Sequence, residues 1–133
     1  MSASLKNVGA LTLFVDDVAR SRSFYQDVFG LRVVYEDNES AVFDFGNTLI
    51  NLLALPAARE LMDPVAVAGR DAGSRVLLTI WVDDADAVCA ALDRSGVALL
   101  SGPIDREWGK RTASFSDPDG NIWEIAQDLP RPT

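Results

Sequence analysis

The sequence predicts an α+β fold in which one unit, a βαβββ module, is used twice. Three observations carry this. Strand-like alternation and helix-like periodicity follow each other in the same order in both halves of the chain. An acidic pair, Asp16-Asp17 and then Asp83-Asp84, stands before each helical stretch. A glycine, Gly30 and then Gly96, stands after each, so the repeat is offset by about 66–67 residues.

The first module is expected over about 8–55, after a polar and loose stretch at 1–7. Across 9–15, Leu11, Leu13 and Val15 alternate with Ala10, Thr12 and Phe14, the period of a strand. Asp17 is a plausible N-cap for a helix over 18–29, whose inward face is traced by Val18, Ser21, Phe24, Tyr25 and Val28. Strand patterns follow at 31–36, 41–45 and 48–54, separated by polar turns. Residues 56–74 hold two prolines and two glycines and read as a linker with room for a short helix at 57–62. The second module is expected over about 75–128. Its strand at 75–82 leads to a helix at 85–95, with Val88, Ala91 and Leu92 inward, and then to strands at 97–100, 111–116 and 122–127. The polar, proline-rich tail at 128–133 is expected to fray.

A chain of 133 residues, 48% hydrophobic and 24% charged, suits a single domain or two small halves sharing a core. No apolar run reaches the roughly 18 residues that span a bilayer. The N-terminus lacks the basic region and apolar core of a signal peptide. The expectation is a cytoplasmic protein with no membrane partner. A net charge of −8 argues against nucleic acid, because phosphate binding needs a basic surface. It would draw in cationic ligands, or simply serve solubility. The lone Cys89 excludes an intrachain disulfide and reads as a small buried hydrophobe. The chain contains no histidine, which removes Ser-His-Asp and Cys-His nucleophile systems and every imidazole metal site.

One stretch concentrates the functional question: Ser116-Asp117-Pro118-Asp119-Gly120-Asn121-Ile122-Trp123-Glu124-Ile125. It reads as a tight turn running into a strand. Trp123 and Ile125 take one face of that strand and Glu124 the other. Glu124 is then either an ordinary solvated residue or a carboxylate aimed into a pocket.

These patterns resemble the vicinal oxygen chelate superfamily, which includes glyoxalase I, the extradiol dioxygenases, and the fosfomycin- and bleomycin-resistance proteins. The resemblance rests on Val15-Asp16-Asp17, Phe24-Tyr25, Phe29-Gly30-Leu31 and Asp117-Pro118-Asp119-Gly120-Asn121-Ile122-Trp123-Glu124, and spans about 8–127. It implies a curved mixed sheet around a cleft, a homodimer with residues of both chains at each cleft, and modules paired side by side or exchanged between chains. Enzymes of this superfamily hold a divalent metal, and the resemblance assigns its ligand positions to Ala10, Asn51, Leu77 and Glu124. Two of these are apolar, one is a weak neutral ligand and one is a carboxylate, so no metal and no other cofactor is expected.

Strand parity puts Phe14 and Trp81 on the cup-facing side, as pocket aromatics or as core of a collapsed cup. Glu107-Trp108-Gly109-Lys110-Arg111 resembles the Trp-Gly-x-Arg segment of bleomycin- and mitomycin-resistance proteins. That likeness implies stacking by Trp108 and anion binding by Arg111, although Arg111 shares parity with Ala113 and Phe115 and reaches the pocket only if its strand is bulged there or begins later. The leading expectation is a metal-free binding protein that sequesters an antibiotic or another planar or cationic small molecule. Its ligand would meet Trp108, Glu124, Trp81, Phe14, Asn51 and Arg111. The alternative is a cofactor-independent isomerase or lyase using Glu124 as general base, with Tyr25 and Tyr35 as candidate partners. A structural subunit whose cup is filled by its own side chains is a third reading.

Overall fold

The computed structural model describes residues 5–130, and the chain divides into two compact units between Ala68 and Gly69. The expectations for 1–4 and 131–133 lie outside the described residues.

The first unit runs β1 (Ala10–Val15), α1 (Val18–Asp27), β2 (Val33–Glu36), β3 (Ser40–Asp44), β4 (Leu49–Ala54) and α2 (Leu55–Met62). Its four-stranded sheet has the order β1-β4-β3-β2, with β1 parallel to β4 and the other pairs antiparallel. A parallel pair needs a crossover, and α1 lies within that crossover. The Asp17 carboxylate caps α1 by accepting from the Arg20 N–H at 3.1 Å. The helix then buries Ser21 and Tyr25. Tyr25 sits among Phe24, Phe29 and Phe43, with ring centroids 4.9–5.8 Å away. Such edge and tilted contacts add about 0.5–1.5 kcal/mol per pair beyond burial. Val15, Ala41, Phe43, Ile50 and Leu52 complete this core.

The second unit repeats the plan. After a 3₁₀ turn (Arg70–Ala72) come β5 (Leu77–Trp81), α3 (Ala85–Arg94), β6 (Leu99–Asp105), β7 (Lys110–Ser116) and β8 (Ile122–Asp128). The sheet order is β5-β8-β7-β6, again with the first pair parallel. Asp84 caps α3 through the Ala87 N–H at 3.0 Å, as Asp17 caps α1. Ala85, Cys89 and Leu92 of α3 are buried, as are Ala113, Phe115, Trp123 and Ile125 of the sheet. Burial, with the nearby Asp86 charge, pushes the Cys89 thiol up, which keeps it protonated and inert.

Two stretches differ from expectation. Residues 56–74, read as a linker, hold most of α2, whose Ala58 is fully buried, and the 3₁₀ turn. The strand expected at 97–100 is instead β6, which extends to Asp105 because it absorbs two irregularities. Leu99 pairs with Phe115 but Ser101 with Ser114, and Ile104 pairs with Thr112, so β6 gains one residue on β7 at each step. Gly102 lies at the second step with φ +90°, and a Cβ there would fall on the Thr112 carbonyl oxygen and 2.8 Å from the Ala113 Cα.

The turn before β8 is built around one buried side chain. Asp117 Oδ1 accepts from the Asp119 and Asn121 N–H groups, each at 2.9 Å, and Oδ2 accepts from the Asn121 amide at 2.9 Å. Asp117→Ala strips the acceptor from three donors at a buried position, and the expected loss is about 2–4 kcal/mol. Urea denaturation followed by tryptophan fluorescence measures it. Gly102→Ala should likewise destabilise, since the clash is with backbone.

Candidate functional site

In the second unit, α3 covers one face of the sheet and the strand period assigns every side chain to that face or to the other. On the open face β5 carries Leu77, Thr79 and Trp81, and β8 carries Ile122, Glu124 and Ala126, paired in that order. Across β8 from the other side, Ser114 pairs with Glu124 and Thr112 with Ala126. The carboxylate of Glu124 is oriented by the Thr79 hydroxyl, which donates to Oε1 at 2.9 Å.

A pocket of about 220 Å³ opens on this face. Leu77 and Ile122 form its apolar wall, Ser101, Thr112 and Ser114 supply hydroxyls, and Glu124 and Arg106 supply opposite charges. Arg106 begins the hairpin turn into β7, where its N–H donates to the Lys110 carbonyl at 2.7 Å and its own carbonyl accepts from the Gly109 N–H at 3.0 Å. Its Nε donates to the Thr112 hydroxyl at 3.0 Å, which folds the guanidinium back toward the pocket. Trp108 at the tip is 69% exposed and lies outside the pocket wall, but its ring centroid is 5.8 Å from the Arg106 guanidinium carbon.

The other expected residues are distributed as follows. Trp81 shares the open face with Glu124 but is 72% exposed, with the Lys110 ammonium 5.6 Å from its ring centroid. Arg111 stands on the opposite face, with Ala113 and Phe115, because β7 keeps regular register with β8 from Lys110 to Ser116. The bulge that would have turned Arg111 toward the pocket is absent from β7 and present in β6. Arg111 is instead bidentate to Asp105, at 2.6 and 3.2 Å, and reaches Asp86 on α3 at 3.1 Å.

In the first unit, Phe14 and Asn51 share the face away from α1, with Thr12 paired directly to Asn51. The Asn51 Oδ1 is buried and accepts no hydrogen bond. Tyr25 is a core residue. Tyr35 is exposed, and its hydroxyl donates to Asp37 at 3.0 Å. That bond and the Asp37 charge push the Tyr35 hydroxyl up, so it holds its proton.

Arg106 and the hydroxyl row were missed in the sequence. The alternation of Thr112, Ser114 and Ser116 with Ala113 and Phe115 already encoded the row. Arg106 was hidden because two bulges reset the phase of β6.

A resident metal does not fit these residues. The positions assigned to ligands carry Ala10, Leu77, an amide and one carboxylate, and the neighbours of Glu124 across the sheet are Thr79 and Ser114. Among the described residues no three His, Cys, Asp or Glu side chains converge.

Comparison with known proteins agrees with this fold. The model of the Glyoxalase/Bleomycin resistance protein/Dioxygenase superfamily matches residues 7–125. Uncharacterized protein YraH of Bacillus subtilis is 38% identical over 124 residues, covering 90% of this chain and 96% of the relative. Metallothiol transferase FosB of Lysinibacillus sphaericus is 26% identical, covering 92% and 82%. Among solved structures, a glyoxalase/bleomycin resistance protein/dioxygenase from Nocardioides superposes with a TM-score of 0.87 at 23% identity, over 99% of this chain and 89% of that one. No helix among the described residues is long and apolar enough to cross a membrane.

The Arg111 pair makes a pH prediction. The hydrogen bonds from Arg111 hold the Asp105 carboxyl below its ordinary value of 3.8. A depressed folded value means the pair stabilises the fold above the ordinary carboxylate range and stops doing so as pH falls through the folded value. Asp105→Asn should therefore melt lower than wild type near neutral pH, and the gap should close as pH drops below 3.8. The pair is exposed, so the gap should also shrink with added salt. Thermal melts across acid pH at two ionic strengths check both.

Proposed function

The chain belongs to the Glyoxalase/Bleomycin resistance protein/Dioxygenase superfamily, and we propose that within it this protein binds a small organic molecule on the open sheet face of its second unit, without a resident metal. The observation that carries the proposal is the pocket itself. It joins an apolar wall to hydroxyls and an oriented carboxylate where the superfamily's metal enzymes need convergent ligands. At about 220 Å³ it is smaller than the roughly 300–1,000 Å³ of sites for drug-sized ligands, so it takes a small molecule or one end of a larger one. An antibiotic sequestered here would insert one group and stack the remainder on Trp108 or Trp81. Metallothiol transferase chemistry, suggested by the name of one relative, is not part of the proposal, because the donor set does not support it.

Proton transfer by Glu124 is the second reading. It is favoured by the Thr79 hydrogen bond, which fixes one carboxylate oxygen and leaves the other to face a ligand. A homodimer is part of the same proposal, supported by the exposure of Val76, Leu77 and Trp81 around β5.

A ligand panel of planar antibiotics, amines and 2-oxo acids, read by tryptophan quenching and thermal shift, should give at least one saturable response that Glu124→Gln weakens about tenfold or more. Flat titrations throughout would remove the binding reading. Turnover of a 2-oxo acid that vanishes in Glu124→Gln would move the protein to the enzyme reading. Stoichiometric, tightly held metal in the purified protein, with activity lost on chelation, would contradict the metal-free reading. Light scattering should return twice the chain mass of 14.4 kDa.

A further inference from the structure

Arg106 and Glu124 line the same pocket yet make no ion pair with each other, and among the described residues neither has a charged partner. Each is held by one neutral partner. The Glu124 Oε1 has the Thr79 hydroxyl, and the Arg106 Nε has the Thr112 hydroxyl. These two bonds hold the charged groups in place without neutralising either. What stays open is one carboxylate oxygen of Glu124 and both terminal nitrogens of Arg106. A guanidinium fixed at Nε and stacked near a tryptophan still presents a planar pair of donors, which matches a carboxylate in bidentate fashion. An open carboxylate oxygen matches an ammonium. Two opposite charges partly withdrawn from water in one cavity carry a desolvation cost that a ligand bearing the complementary charges would offset.

We infer that the pocket selects a zwitterion: a small amino acid or amino-acid-like compound, its carboxylate held by Arg106 and its ammonium by Glu124. The inference rests on the binding reading of this pocket and adds the ligand's charge pattern to it. It makes Arg106, rather than Arg111, the residue that reads the anion. Arg111 is already committed to Asp105 and Asp86 on the other face. The hydroxyls of Ser101 and Ser114 line the same pocket as neutral donors or acceptors, and Leu77 and Ile122 accommodate the carbon chain.

The test is an NMR titration of the whole protein with the ω-amino acids from glycine to 6-aminohexanoate, alongside the matched acid, amine and amide of each length. The Arg106 Nε–H and Trp108 indole signals report. One chain length should bind best, with the amino acid at least about tenfold tighter than its acid or amine and the amide weakest. Arg106→Gln should abolish the preference for carboxylate-bearing members, and Glu124→Gln the preference for amines. Arg106→Lys, which keeps the charge and stem but loses the fork, should retain part of the carboxylate preference. Dispersed spectra of each variant establish that it is folded. Amides that bind as tightly as amino acids, or a carboxylate preference that survives in folded Arg106→Gln, would overturn the zwitterion inference and leave the binding reading intact. No response to any member of the series would overturn the inference as well, while the response of the broader antibiotic and oxo-acid panel decides the binding reading separately.

Discussion

The parallel pairing of β8 with β5 is the constraint from which the site follows. A parallel neighbour cannot be reached by a hairpin, so the chain must cross over, and the crossover lays α3 on one face of the sheet only. The buried set Trp123, Ile125, Ala113 and Phe115 then belongs to that face. Glu124, Thr79, Thr112 and Ser114 are delivered to the other face by the strand period alone. A one-residue slip would exchange the two sets and drive Glu124 into the core, so the packing that stabilises the unit also fixes the site. The Asp117 turn supports this arrangement, because it sets the residue at which β8 begins.

Much of this was legible in the sequence. The duplicated βαβββ order follows from hydrophobic periodicity and from two capping aspartates, and both caps form the expected bond. The face of Glu124 followed from its alternation with Trp123 and Ile125. What escaped was local and nonperiodic. The strand expected to end at Leu100 continues as β6 through Gly102-Pro103 to Asp105. The strand is kept by bulges, which are a property of pairing with β7 and leave no periodic mark. The helix over 55–62 was partly concealed because Pro56 signals a break in a sequence read without context, whereas at the first turn of a helix it costs nothing.

The two arginines of the hairpin show why composition alone misleads. Arg106 and Arg111 flank the same Glu-Trp-Gly-Lys segment, and either would serve as an anion binder on the basis of charge. Their partners separate them. Arg111 has two carboxylates within reach and becomes a clasp between β6, β7 and α3. Arg106 has a hydroxyl and an aromatic ring, which position it without consuming its charge. A cation satisfied by protein carboxylates is structural material, and one held only by neutral groups remains available.

The bulges of β6 have a consequence for how such a protein can change. Each extra residue flips the phase of the strand beyond it, so the identity of the side chains offered to the open face is set by insertion length as well as by residue choice. β6 is an edge strand on which Leu100, Pro103 and Ile104 are exposed, whereas Leu99 pairs with the buried Phe115, Gly102 lies against the β7 backbone and Asp105 holds Arg111. The exposed positions of this strand are thereby open to change, while Gly102 and Asp105 stay tied to stability. A lineage carrying this unit has a margin along which ligand preference can drift at the exposed positions, within the limits that Gly102 and Asp105 set.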